Sequence, residues 1–264
     1  MSCLNELKKE FQWRKFGTGY QFPSKFVLIQ CGPRIVYPIW TSLWIVYHLV
    51  WIGYDIYDKF EGDKNGDYKY YSKLTNWGYN LLVIANFVDA VFVLYTHCKR
   101  QDIFAHKDTE QYTPWYLQMN WILFEIMNTT GIIISILYYG LLDPKTDPLS
   151  VEYHAINAVY ILLNFFVCAK PVRILHFIYP SIFGTLFSIW SVIDQNYVSK
   201  SLVYGNFLNW LEKPESAAIF SVILVFVVVP IVHVAFFGLY KLRVFVSEKC
   251  CSSEEYTLNG KHVP

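Results

Sequence analysis

The chain has 264 residues, of which 54% are hydrophobic, 19% aromatic and only 16% charged. A soluble domain of this length seldom carries so few charges, and a net charge of +1 supplies no basic face for nucleic acid. The apolar residues are bunched into runs long enough to cross a hydrocarbon core of roughly 30 Å. Helices pair every backbone group within such a run, so the expected class is all-α, a multi-pass transmembrane bundle of about six spans.

In chain order, residues 1–34 are polar and basic and lack the short apolar core of a cleavable signal, so they read as a cytoplasmic segment. The expected spans are Ile35–Tyr57, Leu74–His97, Trp115–Tyr139, Tyr153–Ala169, Leu175–Ile193 and Ala217–Tyr240. Residues 35–245 form one membrane domain, and 246–264 are a cytoplasmic tail. The fourth run is short, and the Lys170-Pro171 break after it leaves room only for a tight turn, so a re-entrant fourth and fifth pair is the alternative. Most of the 22 Lys and Arg residues fall on the side of the N-terminus, which places both termini in the cytoplasm. All six cysteines fall on that side too, so no disulfide framework is implied. Cys250 and Cys251, beside Lys249, are candidates for S-acylation.

Polar residues within spans carry the functional argument, because a membrane makes them costly. Thr75, Asn86 and Asp89 share one face of the second span within about 40°. Gln118, Glu125 and Thr129 do the same on the third, and His154, Asn157 and Asn164 spread over about 80° on the fourth. Interhelical hydrogen bonding accounts for most of these. The triplet Asn128-Thr129-Thr130 lies within the third span, where it reads as a helix-contact patch. Asp89 and Glu125 have no Lys or Arg within the spans to pair with, so they read as an acidic pair sharing a proton, with a cation or proton pathway as the alternative. Thr75 and His154 both fall at outer span ends, where a histidine could activate a threonine hydroxyl. The bland alternatives are a helix cap and an interfacial histidine. The other histidines are scattered, so no metal and no cofactor is expected. Pro230 should kink the last span.

Several motifs are recognisable: Phe11-Gln12-Trp13, Tyr71-Ser72-Lys73-Leu74-Thr75-Asn76-Trp77-Gly78, Pro114-Trp115-Tyr116 with Trp121, and His154-Ala155-Ile156-Asn157. Lys170-Pro171-Val172-Arg173-Ile174-Leu175-His176, Tyr179-Pro180-Ser181-Ile182-Phe183-Gly184 and Leu208-Asn209-Trp210-Leu211-Glu212-Lys213-Pro214 follow, then His233 and Gly238-Leu239-Tyr240-Lys241-Leu242-Arg243. Through these, over residues 10–246, the chain resembles the rolling stone family of multi-pass membrane proteins. The resemblance implies a role in myoblast fusion and muscle development, with membrane-protein partners and no established biochemistry. The family is distantly similar to the androgen-induced membrane hydrolases, which cleave fatty-acid esters with an intramembrane Thr and His. Leu74-Thr75 and His154 with Asn157 match their pattern, which implies a Thr75/His154 dyad supported by Asn157 and a lipid-ester substrate. The longer basic N-terminus and Tyr179-Pro180 after His176 depart from it. A fusion role fits the plasma membrane and lipid hydrolysis fits the endoplasmic reticulum. A transporter is a third, poorer reading, because no inverted repeat surrounds a midplane site.

Overall fold

The computed structural model describes residues 10–62, 70–105, 111–142, 144–200, 202–205 and 207–250, together with Lys8. It is an all-helical, multi-pass bundle. Five helices are long and apolar enough to cross a membrane: Val36–Asp58, Leu74–Lys99, Trp115–Leu141, Ile174–Val198 and Pro214–Cys250. Between the third and fourth of these runs a further continuous helix, spanning 148–167. Its sequence is too polar to pass on hydropathy alone, because Glu152, His154, Asn157 and Asn164 all turn inward and are buried.

Loop contacts show that this helix, like the five long ones, runs from one end of the bundle to the other. At one end of the bundle, His97 meets the Val27 carbonyl, Tyr20 N–H donates to Thr113, Ala169 N–H donates to the Leu28 carbonyl, and Gln30 donates to Ser247. At the other end, the Tyr204 hydroxyl accepts from Leu74 N–H and the Trp190 indole donates to the Tyr71 carbonyl. Chain segments therefore alternate between the two ends of the bundle, and the N-terminal segment and the end of the last helix share one end.

Local chemistry sets the helix ends. Asp147 caps the fourth helix by accepting from Ser150 N–H at 3.0 Å, with Pro148 in the first turn. The Ser150 side chain, and then its backbone N–H, hold the Asp147 carboxyl below its usual range. The fourth helix then widens into a π turn at Glu152–Ile156. This turn lets Glu152 face the first and second spans while His154 faces the third. Another π turn, Leu224–Val228, lies just before Pro230. Proline has no N–H for the carbonyl four residues back, so the expected kink takes the form of a widened turn.

Two segments depart from the sequence expectations. Lys170–Arg173 is no tight turn: it is an extended strap drawn into the bundle, and every residue from Cys168 to His176 is buried. Ile29 pairs with Cys168 as an antiparallel bridge, and the Trp121 indole donates to the Pro171 carbonyl at 2.8 Å. His233 bonds the Arg173 carbonyl at 2.9 Å, and Arg243 donates to the carbonyls of Phe165 and Lys170. A chain without its own ladder must find such partners when buried, and here neighbouring helices supply them.

The N-terminal segment is likewise part of the bundle. Phe26 and Val27 are fully buried, and Tyr20 and Phe26 pack their rings on Trp121. Arg173 reaches from the strap to the carbonyls of Gly17 and Gly19. Replacing Arg173 with Gln should therefore loosen this segment, with tryptic cleavage at Arg14 and Lys15 accelerated by about tenfold or more, since charge-assisted bonds contribute ~1.5–3 kcal/mol each. Unchanged cleavage kinetics in detergent would show that the aromatic contacts alone hold the segment. The segment also carries Cys31, which is disulfide-bonded. That corrects the expectation of no disulfide; the Gln30 bond to Ser247 brings this stretch to the last helix.

Candidate functional site

At the end of the bundle remote from the N-terminal segment, called outer after the expectation from the Lys and Arg pattern, the second, third and fourth spans and the loop around Tyr204 line a cavity of about 520 Å³. Thr75, Asn76 and Lys73 come from the start of the second span, Tyr138 and Lys145 from the end of the third, and Asp147, Ser150, Tyr153 and His154 from the fourth. Asp55 and Asp58, at the end of the first, complete the wall. Carboxylates and lysines of both signs thus surround Thr75 and His154, two of the residues singled out in the sequence.

Each is positioned by identifiable contacts. The His154 ring stacks on Tyr138 with centroids 3.5 Å apart and planes 3° from parallel, and its carbonyl accepts from the Ser135 hydroxyl at 2.7 Å. His154 is 4% exposed, and its Nδ1 has no hydrogen-bond partner. A buried polar atom left unpaired is costly, and this one lies in the His154 side chain that helps to line the cavity. Thr75 is half-buried in the first turn of its helix, where Lys73 occupies the cap position without a side-chain cap bond. Thr75 is thus not the helix cap. Tyr204 lies beside it, its hydroxyl accepting from Leu74 N–H at 2.6 Å. The Tyr204 loop is pinned in turn, because the Gln195 side chain bonds both the Leu208 carbonyl and Trp210 N–H. Gly205 follows at φ +50°, a turn that glycine adopts without strain.

Asn157 does not join this wall. It lies a turn deeper, fully buried, with its amide donating to the Tyr153 carbonyl at 3.3 Å and its Oδ1 unpaired near Gly131. Asn76 is on the wall, with its amide donating to the Tyr70 carbonyl at 2.7 Å.

The proposed acidic pair is corrected. Asp89 and Glu125 are not bonded to one another, and each has its own partners. Lys170 descends from the strap to within 2.8 Å of Asp89, while Asn120 and the Tyr37 hydroxyl donate to the same carboxylate, each at 2.8 Å. Glu125 accepts from the Trp121 indole at 3.0 Å and lies 3.4 Å from His176 Nδ1. The sequence argument missed Lys170 because it lies outside every apolar run and enters the core only when the strap folds inward. An ammonium fixed at Asp89 also opposes a cation pathway, and the space beside it is only about 10 Å³.

Glu152 was missed as well. Its carboxylate accepts from the Tyr47 hydroxyl at 2.6 Å and the Tyr79 hydroxyl at 3.2 Å, and His48 lies 3.9 Å away. Its position two residues before His154, on the same helix, was the available signal. The Asn128–Thr130 stretch is buried in helix contacts, with Thr129 bonded to His233 at 3.0 Å. Cys250 ends the last helix and is exposed; Cys251 lies outside the described residues.

The family model described as Protein rolling stone matches residues 2–253. The chain belongs to the rolling stone family. Protein rolling stone of Drosophila melanogaster is 26% identical over 253 residues, covering 89% of each chain. No solved structure matches. In this member of the rolling stone family, the motif Lys170–His176 is the buried strap, and the motif Tyr71–Gly78 forms part of the outer cavity wall.

Proposed function

We propose that this rolling stone family protein is a membrane-resident ligand-binding protein whose working site is the outer cavity, serving the myoblast-fusion role that the family resemblance implies. The observation that carries this reading is the unpaired, buried Nδ1 of His154 at a cavity lined by charges of both signs. A bundle selected only for packing would close such a space or pair such an atom. The plasma membrane is the proposed location, since a fusion role requires the cavity to face the neighbouring cell.

The proposal is tested by reacting Thr75→Cys and Lys145→Cys variants of the full chain with a membrane-impermeant maleimide on intact cells. Both variants should react while wild type does not. Reaction of Lys145→Cys alone would mean that the cavity is closed, and reaction of either variant only after permeabilisation would place the protein in the endoplasmic reticulum.

A second reading, ester hydrolysis at the same cavity, starts from the presence of Thr75 and His154 together in its lining. In that reaction His154 takes the Thr75 hydroxyl proton as Oγ bonds to the ester carbonyl carbon. The proton then passes to the departing alcohol oxygen, and water releases the acyl group by the reverse sequence. Under this reading a membrane-permeant fluorophosphonate labels wild type, and labelling falls by about 10²-fold or more in Thr75→Ala and His154→Ala. Wild type left unlabelled, where a related hydrolase reacts, would leave ligand binding without chemistry.

A further inference from the structure

The N-terminal segment buries one side and leaves the other bare. Phe26 and Val27 turn into the bundle, whereas Trp13 and Phe11 are 83% and 62% exposed. The Trp13 ring packs on that of Phe16, with centroids 4.8 Å apart. Two aromatics at the start of the third span, Tyr112 and Trp115, are 82% and 70% exposed at the same end of the bundle. Bases accompany them. Within residues 10–34, Arg14, Lys15, Lys25 and Arg34 face a single acid, Glu10, and Lys15 engages that acid at 3.3 Å. Arg14 and Lys25 are left exposed. Bonds to the span ends fix the depth of this surface. Thr18 donates to Gln118, Tyr20 N–H donates to Thr113, and the Tyr179 hydroxyl donates to the Phe16 carbonyl at 2.8 Å. Gln118 and Tyr179 lie in the first two turns of the third and fifth spans, so the Trp13–Phe16 turn is held where those spans enter the bilayer, at the level of head groups and aromatic belts.

We propose that this face of the N-terminal segment docks on an anionic lipid leaflet at its own end of the bundle, with Trp13 and Phe11 in the head-group layer and Arg14 and Lys25 against acidic head groups. Rings beside open bases suit that boundary: the rings leave water for the interface, and each base is drawn to the negative surface. The excess of Lys and Arg at this end matches the cytoplasmic leaflet, which carries the anionic lipids. A soluble acidic protein would meet the bases equally well, yet the rings are held at the level of the lipid. Docking adds an outer hold to the inner one, in which Tyr20 packs on Trp121 and Arg173 bonds the Gly17 and Gly19 carbonyls. None of the docking residues lines the outer cavity.

The test uses the full chain in phosphatidylcholine nanodiscs doped with a lipid brominated near the top of its chains, either phosphatidylserine or phosphatidylcholine in equal amount. Bromine quenches a tryptophan that it touches, and the emission lost in Trp13→Phe isolates this one of the nine tryptophans. Trp13 emission should be quenched by both lipids. Brominated phosphatidylserine should quench it about fivefold more strongly, the weight of one base near an anionic surface. That preference should vanish at about 1 M salt, where the Debye length is about 3 Å. It should vanish too in the double variant Arg14→Gln with Lys25→Gln, at two exposed positions outside the buried core. Trp13 emission quenched by neither lipid, while aqueous iodide quenches it, overturns the docking and leaves the face to a soluble partner. Equal quenching by the two lipids, or a preference that survives the double variant, overturns the pairing of these bases with anionic head groups.

Discussion

Lys170→Met should destabilise the folded protein by about 3–5 kcal/mol, the cost of leaving a buried charge without its partner. Lys170 is 1% exposed and Asp89 4%. Besides Asp89, its ammonium meets Asn120 Oδ1 at 3.2 Å and faces the ring of Phe124 at 5.1 Å. Methionine keeps the length of the side chain and loses the charge. Asp89 then retains only the neutral donors Asn120 and Tyr37 against the cost of burying a carboxylate. The double variant Lys170→Met with Asp89→Asn should recover most of the loss, because no uncompensated charge remains and an isosteric neutral pair is often tolerated. Thermal melting of detergent-purified protein, followed by size-exclusion chromatography, measures both effects. A Lys170→Met protein that melts with wild type would mean the pair adds nothing. A double variant no better than the single would place the loss in the strap's packing and not in its charge.

Trp121→Ala should cost about 3–5 kcal/mol, in the range of large-to-small substitutions at fully buried aromatics. Trp121 is completely buried in the third span and serves as the anvil on which three chain segments meet. Tyr20 and Phe26 of the N-terminal segment pack on its ring at 5.7 and 5.1 Å, His176 packs at 4.6 Å, and the Arg173 guanidinium lies over it at 4.7 Å. Its indole N–H is shared between Glu125 and the Pro171 carbonyl. Trp121→Phe separates the two contributions. It keeps most of the aromatic surface and removes the donor, so it should cost about 1–3 kcal/mol through the strap carbonyl and carboxylate left short of a partner. Melting temperatures for the two variants, read beside tryptic release of the N-terminal segment, decide the matter. Should Trp121→Phe lose as much as Trp121→Ala, the hydrogen bonds dominate; should it lose nothing, they are dispensable.

Both substitutions fall in the inner half of the bundle, away from the outer cavity. The inner network of Asp89, Lys170, Glu125 and His176 holds the strap and the N-terminal segment in place. The outer cavity is built from span ends that this network keeps in register, through the third and fourth helices. The maleimide reactivity of the cavity should therefore change little in any strap variant that still folds.

What the sequence by itself determined is the class and the topology. Runs of apolar residues of membrane-crossing length require helices, because the bilayer offers no other partner for the backbone, and the placement of Lys and Arg orders the loops by side. The 148–167 helix was legible by the same reasoning, although its inward polar residues hide it from a hydropathy average. The polar faces of the second, third and fourth spans were legible as well, since helical periodicity alone brings Asp89, Glu125 and His154 onto inward sides. Tertiary structure decided which of these residues meet. Asp89 and Glu125 sit at comparable depths on neighbouring helices, yet each is claimed by a different part of the strap, and only the folding of Lys170–His176 into the core reveals it. Thr75 and His154, some eighty positions apart, share a cavity because the second and fourth spans both enter at the outer face. Asn157, three residues from His154, falls outside it because the π turn at Glu152–Ile156 changes the helical phase between them. Periodicity specifies a face within one helix. The pairing of charges between helices depends on the path of the connecting chain, and that path is set by the long-range contacts that bury it.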